Sequence, residues 1–153
     1  MMSKKYNSKK ALLDRSSRVI NSIINGMEEL SIVKRRKIME KSGEACAIAG
    51  SFEIAKKISE ETTCIEEIID KINHQIPWCG KWKLKDNFIR SICNECGCPL
   101  VKNKIVNLNS TFCYCSLGWV KTIFKTLLKR PIHAEILKSI GAGDTICEFV
   151  VNI

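Results

Sequence analysis

The stretch WVKTIFKTLLKRPIHAEILKSIGAGDTICEFVVNI, residues 119–153, decides the fold. Its first part carries apolar residues at helical spacing, namely Trp119, Ile123, Phe124, Leu127 and Leu128. Pro131 ends the predicted helix. Strands are predicted at 132–140 and 146–153, and Gly141-Ala-Gly-Asp-Thr145 between them has the composition of a hairpin loop. A helix followed by an antiparallel hairpin predicts an α+β fold.

A hairpin that is symmetric about this loop determines which residues face each other across its strands. It predicts Ser139 opposite Cys147 and Leu137 opposite Phe149. Because side chains alternate along a strand, Glu135 then shares with Ser139 the face that matches Cys147 and Phe149. We expect the preceding helix to cover that face.

Upstream of residue 77, apolar residues recur at helical intervals. The predicted helices run from Ser8 to Ile24, from about Met27 to Ala49, through Phe52 and Ile58 after a cap at Ser51, and onward from the capping-box spacing Thr63-Cys-Ile-Glu66. Pro77 forbids continuation of the last of these helices. The first half of the chain is therefore predicted to be helical.

Shorter elements connect the two halves. Apolar residues alternate with lysines at Trp82 and Leu84, which is typical of a half-buried strand, and 87–92 reads as its partner. The segment Ile105–Leu108 predicts a further short strand.

These elements predict one domain over 1–153, with a helical part at 1–76 and an α+β, cysteine-rich, metal-binding part at 77–153. We expect N-terminal helices packed on an antiparallel sheet, with a crossing helix at about 114–129 and a C-terminal β-hairpin. No apolar run approaches the ~18 residues that a membrane span requires, so no membrane span is expected.

Nine cysteines occur in the 153 residues, and six of them lie between residues 93 and 147. Spacings of one or two residues allow two thiolates to bind one metal ion, as in tetrahedral zinc sites. The candidate ligands are Cys96, Cys98, Cys113, Cys115 and Cys147, with Cys93 as the substitute. We expect a structural zinc ion, because an all-thiolate shell leaves no position for water. An iron–sulfur cluster is the alternative, since cysteines also bind it.

The start of the chain bears on the state of these cysteines. Met1-Met-Ser-Lys-Lys-Tyr6 is polar and basic and lacks the apolar core of an export signal. We therefore expect a cytoplasmic protein whose clustered cysteines are ligands or catalytic thiols rather than disulfides. Cys113 and Cys115 begin the predicted helix, where backbone N–H groups and the helix dipole favour the thiolate form.

The formal net charge of +9 invites a nucleic-acid interpretation. Much of the charge lies in the first twenty residues, including Lys4 and Lys5, and in Lys34-Arg-Arg-Lys37. Because no basic motif interleaved with aromatic residues accompanies it, a solvated basic face is the better interpretation. Nucleic acid is not an expected partner, whereas an acidic partner or a homodimer is compatible with this charge.

The remaining cysteines and the two histidines carry weaker signals. Cys64 and Cys79 are expected to be small buried apolar residues, because free cysteine is among the most buried residue types. Cys46 lies in a segment rich in small residues and is a candidate nucleophile, but a nucleophile needs a neighbouring base. Neither His74 nor His133 is near Cys46 in sequence, and His133 is expected at a surface or an edge strand.

One family shares the order of these features. A cysteine precedes a Gly-aromatic helix in Phe112–Trp119, an Arg-Pro-Ile turn at 130–132 leads to a strand, and the Gly143-Asp144 loop precedes Cys147. In this order and spacing the chain resembles the 4-vinyl reductase domain family, whose members bind small hydrocarbon-like molecules.

The resemblance implies an α+β fold with a structural zinc beside an apolar pocket. Cys113, or Cys115 two places on, matches the family's ligand at the helix start, and Cys147 matches its last ligand. Ser139 stands where the family has a hairpin cysteine, so the group Cys93–Cys98 is the expected replacement, as in a cysteine-rich branch. A weaker likeness connects the chain with a thiazoline-carboxylate hydrolase group.

These observations favour a binding domain for a hydrophobic or aromatic small molecule over an enzyme, because no Ser/His/Asp set and no phosphate-binding glycine loop are present. The expected pocket residues are Trp82, Trp119, Ile123, Phe124 and Phe149. The alternatives are a cysteine-dependent hydrolase of a small heterocycle, with Cys46 as nucleophile, and an iron–sulfur protein.

Overall fold

The computed structural model describes residues 8–153; the basic opening that includes Lys4 and Lys5 lies outside the described residues. In chain order the elements are α1 Ser8–Gly26, α2 Ile32–Gly50, α3 Phe52–Glu61, α4 Ile65–Gln75, β1 Trp82–Lys85, β2 Phe88–Cys93, α5 Pro99–Lys102, α6 Ser110–Leu128, β3 His133–Lys138 and β4 Cys147–Asn152. The predicted α+β fold is confirmed. Across residues 8–153, no helix is long and apolar enough to cross a membrane.

The four strands form one antiparallel sheet in the order β1-β2-β4-β3. Its inner face presents buried side chains, among them Trp82, Ile89, Ala134, Phe149 and Val151. Helix α6 packs on this face with its own apolar stripe, and α2 and α3 cover the other side of α6. The helix is therefore buried on opposite sides, which explains why so few of its residues are polar.

The predicted crossing helix is confirmed, and α6 begins four residues before the expected position at 114. The side chain of Asn109 caps it by accepting a hydrogen bond from the Phe112 N–H at 2.8 Å. At the other end Lys129 adopts a left-handed conformation with φ 51°, and Pro131 prevents continuation.

Aromatic stacking joins α6 to the sheet. The Trp78 ring stacks on Trp82 and on Trp119, with centroid separations of 5.4 and 4.7 Å, and meets Phe149 edge-on at 5.3 Å. Trp82 in turn meets Phe124 edge-on at 4.7 Å. Such contacts stabilise a core by about 0.5–1.5 kcal/mol each beyond their buried area.

Helices α2 and α6 approach each other through two glycines. A Cβ atom added at Gly43 would lie 1.9 Å from the Cys115 carbonyl oxygen, and one added at Gly118 would lie 2.0 Å from the Glu40 carbonyl oxygen. Backbone therefore lies directly against backbone at both points. This close approach fixes the position of the first half of α6.

Neither predicted pair of the hairpin, Ser139 with Cys147 or Leu137 with Phe149, is present. Lys138 pairs with Glu148, as a symmetric hairpin requires, but Phe149 pairs with Ile136 rather than with Leu137. A bulge between Ile136 and Lys138 inserts one extra residue, which shifts every later pair by one position.

The same bulge exchanges the faces of β3. Ala134 and Ile136 point towards the core, and Glu135 pairs with Val150 on the outer face, so the predicted inward position of Glu135 is wrong. Ser139 does not enter the ladder opposite Cys147, because its backbone N–H donates to the Asp144 carboxylate at 2.7 Å and starts a short 3-10 turn.

The strand expected at Ile105–Leu108 is absent from the described structure, where this segment runs irregularly after α5. Side chains of α1 satisfy its backbone instead. The Ile105 carbonyl accepts hydrogen bonds from Ser17 Oγ at 2.8 Å and Asn21 Nδ2 at 3.0 Å, and the Asn107 N–H donates to Asn21 Oδ1 at 2.8 Å. Backbone N–H and carbonyl groups that hydrogen-bond to side chains do not need a strand partner.

The second predicted helix is also divided. A short 3-10 helix, Met27–Glu29, precedes α2, and the chain is extended at Leu30. Ser31 then caps α2 by accepting a hydrogen bond from the Lys34 N–H at 3.4 Å. The caps predicted at Ser51 and at Thr63–Glu66 make no side-chain capping bond in α3 and α4, although both helices form.

We predict that Gly43→Ala lowers the free energy of unfolding by about 1–3 kcal/mol, because the new methyl group forces α2 and α6 apart. Gly50→Ala at the exposed end of α2 is the control, since nothing lies within 4 Å of its added Cβ. Chemical denaturation of both variants measures the difference. Equal stability of the two would contradict the close contact.

Glu40 links α2 to α6 through ion pairs with Arg36 at 2.7 Å and Lys121 at 2.8 Å. Burial opposes ionisation, but hydrogen bonds and charge from Lys121 and Arg36 outweigh it and lower the pKa of Glu40. A lowered pKa in the folded state stabilises the fold above the unfolded-state pKa, and this contribution is lost as the pH falls through the folded-state pKa.

We therefore predict that Glu40→Gln destabilises the protein at neutral pH and that the difference from the wild type vanishes in acid. The measurement is the free energy of unfolding of both proteins as a function of pH. Glu60→Gln, which changes an exposed carboxylate on α3, is the control. If the difference in unfolding free energy between the wild type and Glu40→Gln stayed constant with pH, the lowered pKa of Glu40 would not be the source of the stabilisation.

Candidate functional site

The cysteine cluster forms where the end of β2, the start of α6 and the start of β4 meet. Cys147 is the first residue of β4 and pairs in register with Cys93, the last residue of β2. Cys96 and Cys98 follow in the connection to α5, and Cys113 lies in the first turns of α6. Sequence-distant segments therefore bring their thiols to one end of the sheet.

One group of neighbouring thiols consists of Cys96, Cys113 and Cys147. Burial raises the pKa of Cys113 first of all, and the charges of Cys147 and Cys96 raise it further. Burial likewise leads the causes that raise the pKa of Cys96, with Cys98 and Cys147 contributing. The Ile140 N–H donates to Cys147 Sγ at 3.4 Å, so this thiol already accepts a backbone hydrogen bond.

A second group consists of Cys46, Cys98 and Cys115. Burial raises the pKa of Cys115 to about 12, and the charges of Cys46, Cys98 and Cys113 act in the same direction. Burial also raises the pKa of Cys46, with Cys98 as the other cause. Cys115 connects the two groups, because it lies near Cys113 as well.

The prediction that the start of α6 favours thiolates is wrong for both of its cysteines. The pKa of Cys113 and the pKa of Cys115 are raised, with desolvation as the largest cause in each. The free energy that a thiolate loses when it is removed from water exceeds the stabilisation that the N–H groups and dipole at a helix start provide.

The start of α6 is held by a polar network around the buried hydroxyl of Thr111. Thr111 is 1% exposed, and its hydroxyl donates to the Glu28 carboxylate at 2.7 Å. Arg35 of α2 forms an ion pair with the same carboxylate and donates to the Thr111 hydroxyl at 3.2 Å. This network holds the first turn of α6, and with it the cluster cysteines, against α2.

Gly141 allows the hairpin loop to lie against Cys113. A Cβ atom added at Gly141 would lie 2.5 Å from Cys113 Sγ. The loop and the helix also border a cleft of about 160 Å³, whose lining includes Cys113, Tyr114, Ser139 and Asp144. The Ser139 hydroxyl lies beside the Cys113 thiol, but its oxygen is buried without a well-formed hydrogen bond.

All five predicted metal ligands, Cys96, Cys98, Cys113, Cys115 and Cys147, therefore lie in this cluster. Their donor atoms suit a closed thiolate shell of zinc or an iron–sulfur cluster. These side chains are not arranged around one metal position. In residues 8–153 no group of three or more His, Cys, Asp or Glu side chains is placed to hold a metal ion. Metal binding therefore requires the thiol side chains to turn towards each other.

Two other cysteines differ from the sequence-based expectation. Cys79, expected as an isolated apolar residue, forms a disulfide with Cys93, the substitute ligand, across a Cα–Cα distance of 5.2 Å. Cys64 is exposed rather than buried, and its thiol hydrogen-bonds to the Glu66 carboxylate at 3.2 Å. Cys46 is exposed on α2. Sequence spacing could not reveal the disulfide, because its cysteines lie fourteen positions apart.

The two histidines lie on other surfaces. His74 contacts the Asp70 carbonyl on α4, and His133 contacts the Asn152 side chain at the far end of the hairpin from Cys147. Among the described residues, neither histidine hydrogen-bonds to a cysteine. The predicted nucleophile Cys46 has no histidine base hydrogen-bonded to it in that part of the chain.

The five predicted pocket residues, Trp82, Trp119, Ile123, Phe124 and Phe149, are all buried together in the main core. A groove of about 430 Å³ lies elsewhere, between the exposed sides of α2 and α6, and is bordered by Arg36, Glu40 and Lys121. Neither this groove nor the cleft at Cys113 is lined by any of the five. Their contact with a ligand stays a prediction.

The family of the chain follows from comparison with known proteins. Residues 6–152 match a family of unknown function, DUF6144, and the chain belongs to that family. No curated protein matches the sequence. Family membership therefore names no activity for the cysteine cluster, and the geometry of the cluster is the guide to its function.

We predict that Thr111→Val, which keeps the shape of the side chain, lowers the free energy of unfolding by about 1–3 kcal/mol, because Glu28 and Arg35 lose their buried partner. Thr126→Val is the matched control, since that hydroxyl bonds only to the Thr122 carbonyl within α6. Denaturant titration of both variants tests this. A loss at Thr126 as large as at Thr111 would show that the network does not anchor the helix.

Proposed function

We propose that this DUF6144 protein is a metal-binding domain in which clustered cysteine thiolates hold one structural zinc ion. The observation that carries the proposal is the convergence of thiols from three segments, at 96–98, 113–115 and 147, on one end of the sheet. A shared cation offsets the cost of placing several ionised thiols close together.

The first three proposed ligands are Cys96, Cys113 and Cys147. The charges of Cys96 and Cys147 act on the thiol of Cys113, and the charge of Cys147 also acts on the thiol of Cys96. Cys98 or Cys115 would complete a tetrahedral shell. The ion would supply positive charge and a fixed geometry at this point. Bound in this way, it would tie the connection after β2 to the hairpin and to α6.

A thiolate shell explains why a structural role is favoured over a catalytic one. Four sulfur ligands leave no open position on zinc for water or substrate. Binding and folding then share their free energy, so the ion stabilises the segments that it joins. The proposal also places the protein in a reducing compartment such as the cytoplasm, where thiols persist as ligands.

We predict that protein purified without added metal contains about one zinc ion per chain, measured by elemental analysis. Cys147→Ser is expected to lose most of this zinc and to melt at a lower temperature, because a ligand on β4 is removed. Cys64→Ser is the matched control, since that thiol is exposed and bonds to Glu66. A chelator that removes the ion should lower the melting temperature of the wild type to near that of Cys147→Ser.

Two results would overturn the proposal. Protein that carries no metal, or a Cys147→Ser variant that keeps its zinc, would exclude this site. Stoichiometric iron with visible charge-transfer absorption would replace zinc by an iron–sulfur cluster on the same ligands.

The expected hydrophobic ligand is not included in this proposal. Trp78 fills the space between Trp82, Trp119 and Phe149, so the aromatic residues contact one another. Hydrolysis by Cys46 is not included either, because a nucleophile needs a neighbouring base and, among the described residues, neither histidine hydrogen-bonds to this thiol. Both stay predictions from the sequence.

A further inference from the structure

The Cys79–Cys93 disulfide lies at the border of the thiol cluster. Cys93 ends β2 and is fully buried, and its register partner across the sheet is Cys147. The Cys96 thiol lies near Cys147 in turn. An oxidised pair and free thiols therefore lie side by side in one part of the fold.

Gly97 packs directly on this disulfide. A Cβ atom added at Gly97 would lie 2.5 Å from Cys79 Cβ and 3.0 Å from Cys79 Sγ. Only a residue without a side chain lets the backbone come so close. Cys96 and Cys98 are the neighbours of Gly97 in sequence, so their backbone lies beside the disulfide.

The two cysteines beside Gly97 interact with different groups. Cys98 lies near Cys46 and Cys115, on the α2 side of the cluster. Cys96 lies near Cys147, on the side of the sheet where Cys93 ends β2.

We propose that the thiol of Cys96 exchanges with the Cys79–Cys93 disulfide, so that this part of the chain is a thiol–disulfide exchange site. The Cys96 thiolate attacks Cys79 Sγ, the half-buried sulfur on which the segment 96–98 lies. A Cys79–Cys96 bond forms as the Cys79–Cys93 bond breaks. Cys93 leaves as a thiolate and takes up the proton that Cys96 gave up, so no net oxidation or reduction occurs.

This exchange goes beyond the proposed zinc site and does not require it. External thiols can enter at Cys79, because it is the more exposed sulfur of the disulfide. In a reducing compartment a disulfide beside free thiols is expected to turn over rather than to persist as a staple. Bound zinc would hold Cys96 and slow the exchange, so the test uses protein treated with a chelator.

The test is disulfide mapping after equilibration of the chelated full chain with mixed reduced and oxidised glutathione, followed by acid quenching. Trypsin leaves Cys79 in peptide 72–81 and the next three cysteines together in peptide 91–102. Cleavage after Glu95 then separates Cys93 from Cys96. The expected result is a peptide linking Cys79 to Cys96, in addition to the Cys79–Cys93 peptide.

Variants identify the attacking thiol. Cys96→Ser should abolish the new peptide, whereas Cys98→Ser and the exposed-site control Cys64→Ser should retain it. Cys79 found only with Cys93 at every glutathione ratio would overturn the proposal, and so would a Cys79–Cys98 or a Cys93–Cys96 product. The wild-type map decides even where a variant fails to fold. Because metal has been removed, the result is independent of whether the purified protein holds zinc.

Discussion

The backbone contact between α2 and α6 is the constraint on which the rest of the structure depends. Gly43 and Gly118 remove the side chains that would separate the two helices, so α6 lies between α2 on one side and the sheet on the other. A helix buried on two sides must be apolar around most of its surface, as Leu117, Val120 and Ile123 illustrate. Its position then determines where its cysteines lie.

Burial of α6 also decides the chemistry of its first turns. Cys113 and Cys115 lie at a helix start that would stabilise thiolates in water, yet their surroundings exclude water and raise both pKa values. Thiols held in this way need a cation to ionise together. The zinc proposal and the exchange at Cys79 are therefore two outcomes of one arrangement, in which cysteines from several segments lie at one end of the sheet.

Sequence periodicity predicted the helices and strands that local interactions determine. The apolar stripe of α6, the end of that helix at Pro131 and the two C-terminal strands are all confirmed. The register of the hairpin was missed, because the bulge near Leu137 depends on how Ile136 and Ala134 pack into the core. Alternation along a strand assumes regular pairing and cannot reveal an inserted residue.

The candidate site was predictable in composition but not in arrangement. Spacing grouped the cysteines of the C-terminal part, and in the structure the thiols of Cys96 and Cys147 act on that of Cys113 from separate segments, whereas Cys93 is bound to Cys79. Nothing local linked Cys79 to Cys93, since their contact requires β2 to be in place. The expectation that the start of α6 favours thiolates was wrong for a similar reason. The helix dipole can be predicted from one helix, whereas burial depends on the whole fold.

X-ray absorption at the zinc edge of the purified protein tests the central claim most directly, because it counts the atoms bound to the ion. The account predicts a shell of sulfur atoms at about 2.3 Å, as in structural thiolate sites. A shell dominated by nitrogen or oxygen at about 2.0–2.1 Å would contradict it, since the converging groups are thiols.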